Sequence, residues 1–207
     1  MVSHAAIPAM VFPWLPFAGF AIVAYITPGP NNVMVSASAA RHGVRATLPH
    51  MLGIAVGFSV MTIICGLGLA GPLTLYPRAQ LVMRWIGIAW LLFLAWQIAN
   101  AHAPGKGEAR PPLGFFGGAA FQWVNPKAWL LMLGVATTWI SPHLPVVPQV
   151  GLIAVLFFFL GLPCLLLWAG IGAGAGRLLS HPAWLRAFNV AMAILLVASM
   201  VPVVLEE

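Results

Sequence analysis

Aspartate is absent from the 207 residues, and glutamate occurs only at Glu108, Glu206 and Glu207. That scarcity argues against a carboxylate-driven intramembrane enzyme and against a carboxylate cage for divalent metal. The six histidines sit mostly in candidate loops, so no nucleophile–base pair or metal cluster takes the place of the acids. The two cysteines, Cys65 and Cys164, lie in apolar runs at no metal-site spacing and read as small buried residues. Charge of either sign is scarce, at 6% of the chain, where a soluble globular protein carries about 25%. The net charge of +6 comes from nine Lys and Arg that form no run or stripe, which excludes a nucleic-acid surface. GIGAGAG at Gly170–Gly176 lacks a following Lys-Ser/Thr and a preceding strand, so it is no phosphate loop. We expect no catalytic residues, no metal site and no cofactor.

What remains is apolar: 62% hydrophobic residues and a mean hydropathy of +1.00. These describe an integral membrane protein in contact with lipid. A spanning helix needs about 20 apolar residues, and six candidates fit. They are Phe12–Ala40, Leu48–Leu69, Leu81–Ala101, Leu113–Trp139, Val147–Gly172 and Trp184–Leu205. Residues Met1 to Trp14 contain no Lys or Arg, so the first segment reads as a retained span, not a signal peptide. The connections RHGVR, GPLTLYPR and SPHLP are short, and the longest polar stretch, HAPGKGEARPP at His102–Pro112, divides three spans from three. A single domain over 1–207 is expected, with halves at about 12–101 and 113–205.

Arg41, Arg45, Lys106, Arg110, Arg177 and Arg186 fall in odd loops, against Arg78 and Arg84 on the other side. The positive-inside rule then puts the odd loops in the cytoplasm and both termini in the periplasm. Three spans per half means that the second half, if it shares the fold of the first, is inserted upside down. Inverted repeats with helices broken at corresponding midplane positions are a secondary-transporter signature.

Two such positions exist. TPGPNN at Thr27–Asn32 interrupts span one, and WVNPKAW at Trp123–Trp129 lies inside span four. Proline has no amide hydrogen, so Pro28, Pro30 and Pro126 should leave the carbonyls of Ala24, Ile26 and Gln122 without their helical donors. Gly29 lets the chain turn. Asn31 or Asn32 would cap a new helix near Val33, and Asn125-Pro126 reads as N-cap then N1. Each break then offers carbonyls for a cation and amides for an anion, the two polarities of an amino acid. A structural kink is the competing reading of the TPGPNN prolines.

Lys127 has no acidic residue in any span to pair with. Deprotonation, contact with water, snorkelling along a polar crevice and contact with a substrate carboxylate all remain open for it. Gln122 either donates to substrate or patches the break. His50, early in span two, is either a helix-end histidine or a proton relay.

TPGPNN followed by SASAARHGVRATLPHMLGIAVG, together with the later NPKA at Asn125–Ala128, resembles the lysine-exporter superfamily of translocators, in its homoserine/threonine-exporter (LysE/RhtB) branch. The resemblance covers nearly the whole chain. It implies six spans, a homodimer, and ion-driven efflux of amino acids such as homoserine, threonine or lysine across the bacterial inner membrane. It also implicates Pro28, Gly29, Pro30, Asn31, Asn125, Pro126 and Lys127. Some relatives use a membrane aspartate, which this chain lacks.

The expected fold is thus an all-α polytopic membrane protein of six helices, arranged as 3+3 inverted repeats with helices one and four broken. The expected substrate site is Thr27, Pro28, Gly29, Pro30, Asn31, Asn32, Gln122, Asn125, Pro126 and Lys127, with His50 as proton relay. The alternative is a passive channel or an inorganic-cation exporter.

Overall fold

The structure is a computed structural model that describes residues 12–69, 77–100, 113–141, 143–178 and 182–198. The polar segment 102–112, most of the 71–78 connection, the N-terminal residues 1–11, and the last residues of spans three and six lie outside the described residues. Among those described there is no strand. The helices are α1 (Trp14–Ile26), α2 (Pro30–Ile64), α3 (Pro77–Ala99), α4 (Phe115–Phe121), α5 (Pro126–Thr138), α6 (Val146–Leu178) and α7 (Pro182–Ala198). A π-helical turn, Cys65–Leu69, extends α2, and a 3₁₀ turn, Gln122–Val124, follows α4. The architecture is all-α.

The 39-residue helical segment Pro30–Gly68 is not one rod. Gly43 sits at φ 81°, ψ 166°, a left-handed conformation that a Cβ would disfavour. It reverses the chain inside the RHGVR segment and divides α2 into arms 30–42 and 44–64. Contacts with α6 show the reversal. Along the first path, Phe17 meets Phe157, the Tyr25 ring packs on Gly161, Ser36 Oγ donates to Trp168 O at 2.6 Å, and Ala40 lies against Gly176. Numbers rise together, so α1 and arm 30–42 run parallel to α6 as successive parts of one path. On arm 44–64 they run oppositely: Ser59 Oγ donates to Ala154 O at 3.0 Å, and Gly66 lies against Val150.

Helix α1, with 13 residues, is about 20 Å long, short of a hydrocarbon core of about 30 Å. Together with arm 30–42 it has the length to cross. Residues 44–68 are long enough on their own, at about 37 Å, and so is α6.

Three apolar clusters hold these helices together. Phe17, Tyr25, Phe58, Met132, Val135 and Phe157 join α1, arm 44–64, α5 and α6. Val35, Ala39, Met51, Ile54, Leu165 and Ala169 join both arms of α2 to α6. Leu91, Leu94, Met192 and Leu196 pair α3 with α7, and Val33 and Phe121 bring that pair to the centre. Glycine allows the closest approaches. A Cβ on Gly53 or Gly57 would strike the backbone of Phe115 or Ala119 on α4, and one on Gly172 or Gly176 the backbone of Ser36 or Ala40. Small residues at helix contacts are the usual packing device where lipid removes the hydrophobic driving force. Many large side chains point outward, among them Trp14, Phe116, Phe159 and Ile194, as an apolar solvent permits.

Candidate substrate site

The chain leaves helical geometry at residues 27–29 and again between Phe121 and Pro126. These two places meet. Asn31 Nδ2 donates to Gln122 Oε1 at 2.9 Å, and Gln122 Nε2 donates back to Asn31 Oδ1 at 3.1 Å. This reciprocal amide pair spans 91 residues of sequence. Gln122 is fully buried and also donates to Gly118 O at 2.9 Å. It therefore serves as a bridge between the breaks.

At the first break α1 ends on polar contacts. Thr27 N and Thr27 Oγ1 both donate to Val23 O. Asn32 Nδ2 reaches back to Tyr25 O at 2.7 Å and Thr27 O at 2.8 Å. Trp168 Nε1 on α6 donates to Ile26 O at 3.3 Å. Lys127 crosses from α5, and its Nζ donates to Thr27 O at 2.8 Å and Pro28 O at 3.4 Å. The negative end of α1 thus receives the amino group of Lys127, and a positive charge there has the sign that the helix dipole favours.

Three sequence expectations are corrected here. Neither Asn31 nor Asn32 caps a helix near Val33. Helix α2 starts at Pro30, with Gly29 in the N-cap position and no side-chain cap, and the two asparagine side chains are bonded elsewhere. Gly29 does not supply a turn, since its φ of −172° is extended backbone open to any residue. Its smallness makes room for lysine: a Cβ there would lie 2.9 Å from Lys127 Cδ and 3.0 Å from Nζ. The Gln122 carbonyl is not left free by Pro126, because Asn125 N donates to it at 3.3 Å through the 3₁₀ turn.

At the second break Asn125 is the N-cap of α5 and Pro126 occupies its first turn, as the Asn-Pro order predicts. Asn125 Oδ1 accepts from Lys127 N at 3.1 Å, and Asn125 O accepts from Ala128 N and Trp129 N. The first amides of α5 are therefore already bonded. Those of α2 differ: at N2 and N3 the Asn31 and Asn32 amides have no intrahelical acceptor and no side-chain cap. The start of α2 is thus the helix end whose amides remain open to an acceptor.

Gly29, Pro30, Asn31, Asn32, Asn125 and Lys127 line one cavity of about 30 Å³, room for about two waters. Ala24, Tyr25, Phe58, Ala128 and Leu131 complete its wall. Thr27, Pro28, Gln122 and Pro126 are not in this wall: Thr27 and Pro28 are exposed, and Gln122 is buried and bonds Asn31. The sequence reading leaves out Tyr25 and Phe58. Tyr25 is one of only two tyrosines and lies two residues before the motif, a signal that was available. Its hydroxyl is buried without a partner among the described residues. Trp168 also contributes, through Ile26, whereas Trp123 and Trp129 pack on each other.

His50 is not in this wall. It is buried against Gly118 on α4, one helical turn from Gln122, and neither ring nitrogen has a partner among the described residues.

A family model described as LysE type translocator matches residues 22–205. The chain belongs to the LysE type translocator family. Among its relatives is a cysteine/O-acetylserine efflux protein of Salmonella choleraesuis (strain SC-B67), 30% identical over 182 residues, covering 87% of this chain and 92% of the relative. The protein of the same description from Escherichia coli (strain K12) is likewise 30% identical over 182 residues, with the same coverage. That of Klebsiella pneumoniae is 34% identical over 126 residues, covering 61% of this chain and 64% of the relative. No solved structure matches the chain. Membership of that family, together with the helical structure, makes the chain an all-α membrane translocator.

Proposed function

We propose that this LysE type translocator is a secondary transporter that exports small amino acids across the bacterial inner membrane by alternating access. The observation that carries the proposal is the meeting of the two breaks, tied by Asn31 and Gln122, around a cavity lined by Lys127, which reaches the Thr27 and Pro28 carbonyls, and by an uncapped helix start. In this reading the substrate ammonium takes the Thr27 and Pro28 carbonyls, and its carboxylate takes the Asn31 and Asn32 amides. Thr27 to Asn32, Gln122 and Asn125 to Lys127 form the site, with His50 as the candidate proton carrier toward an ion gradient. The relatives are named for cysteine and O-acetylserine, which have small uncharged side chains, as homoserine and threonine do. The site supplies no acidic side chain for a second ammonium, so lysine is the poorer candidate.

The same reading takes α1 with arm 30–42, and α4 with α5, as the broken members of two inverted three-span repeats, in a homodimer with both termini periplasmic. Helix pairing supports it. Exchanging the halves turns the pairing of α1 with α6 into that of α4 with arm 44–64, and both occur. It returns the pairings of arm 44–64 with α6 and of α3 with α7 to themselves, and these occur too. The test is growth of cells with and without the protein under each of the amino acids in excess, then counterflow of the labelled hit in proteoliposomes. Saturable counterflow supports a carrier. Flux that neither saturates nor exchanges refutes the proposal and indicates a channel.

A further inference from the structure

Lys127 belongs to α5, yet its ammonium is bonded to the end of α1. Nζ lies 2.8 Å from Thr27 O and 3.4 Å from Pro28 O, the acceptors assigned above to a substrate ammonium. The chain has no aspartate, and its three glutamates lie outside the described residues. Carbonyl dipoles are thus the partners that the described site offers this charge. Gly29 adds an independent sign. Its extended backbone would accept any residue, but a Cβ would press on Lys127 Cδ and Nζ. Glycine at this position keeps the path of the lysine arm open. The arm is itself part of the wall of the cavity that Asn31, Asn32 and Asn125 line.

We propose that the Lys127 ammonium is a tethered stand-in for the substrate ammonium. In the empty carrier it holds the Thr27 and Pro28 carbonyls. An incoming amino acid displaces it from them, and it then faces the substrate carboxylate. This rests on the amino-acid export reading above. The physical reason lies in the return step. An exporter must reorient empty after release, and unpaired carbonyls at membrane depth raise the cost of that motion. A lysine that bonds the same carbonyls lets the empty carrier move almost as the loaded one does. Without it, Asn32 Nδ2 still bonds Thr27 O, but Pro28 O is left to substrate alone, and the protein becomes an exchanger that moves one amino acid out for one in.

The test uses the full chain in proteoliposomes loaded with labelled cysteine under reducing conditions. Net efflux into cysteine-free buffer is compared with exchange against external unlabelled cysteine, both at saturation. For Lys127→Met, KM rises, and the ratio of net efflux to exchange falls by about tenfold, the factor that one unsatisfied polar group adds to a barrier. Lys127→Arg, which keeps a charged donor, retains more of the ratio. Gly29→Ala, which displaces the arm but leaves the lysine in the chain, lowers the ratio in the same direction and carries the test if Lys127→Met does not fold. An unchanged ratio in folded Lys127→Met, or in Gly29→Ala, overturns the stand-in role while leaving export intact. Loss of both modes together in folded protein also overturns it. If the unmodified protein moves no cysteine in either mode, the export reading of cysteine fails first and this proposal falls with it.

Discussion

The amide pair between Asn31 and Gln122 makes a quantitative claim. Replacing Gln122 by Leu keeps nearly the same volume at a fully buried position and deletes the donor and acceptor that face Asn31 at 2.9 and 3.1 Å. Asn31 is then left with an unused donor and an unused acceptor. Interhelical hydrogen bonds in a membrane average about 0.6 kcal/mol, so two give a coupling of about 1.2 kcal/mol. Gln122→Leu also removes the bond to Gly118 O, which brings the total for that variant to about 2 kcal/mol. Asn31→Leu strands Gln122 in the same way, at about 1–2 kcal/mol. The double variant leaves neither amide stranded and should fall short of the sum of the single effects by the coupling. The assay is reversible unfolding of the four proteins in mixed micelles. Single effects that add to within about 0.3 kcal/mol would mean that the two side chains are not bonded to each other, and the link between the breaks would fall with them.

Two further substitutions separate capping from packing. Asn125→Ala removes the side chain that accepts from Lys127 N and should lower stability by about 1 kcal/mol, with Asn125→Asp recovering most of it, as thermal melting in detergent will show. Gly57→Ala drives a Cβ to 2.5 Å from the Ala119 backbone and should cost about 1–3 kcal/mol in the same assay. Gly19→Ala, where a Cβ meets nothing within 4 Å, should be neutral or stabilising by up to about 1 kcal/mol.

Local rules carried the sequence reading a long way. Pro30 and Pro126 marked where helices start, and the Asn-Pro order identified the cap of α5. Local rules also produced the errors. Asn31 and Asn32 have the composition of a helix cap, but one is claimed by Gln122 and the other by carbonyls upstream. Gly29 has the composition of a turn, but it answers to a lysine from α5. For Asn31 and Gly29, partners about a hundred residues away decide the role, and a single sequence does not display such partners; Asn32 instead bonds carbonyls five and seven residues upstream. The Gln122 carbonyl was misjudged for the opposite reason: a 3₁₀ turn closes a hydrogen bond one residue sooner than an α-helix does, and Asn125 N made use of it.

The bundle is unequal in compliance. Toward the Gly43 turn, arm 30–42 lies against α6, and α4 against arm 44–64, through glycines that put main chain on main chain. Toward the start of α1 the contacts are rings: Phe12, Phe17, Phe20, Trp139, Phe157 and Phe58, tilted or edge-on with centroids 4.9 to 6.5 Å apart. A glycine seam has no rotamers and yields only by separating whole helices. Aromatic contacts yield one χ angle at a time. A rocking motion would therefore pivot on the glycine seam and open through the rings, and bulk added among the rings would change transport speed long before it changed the fold.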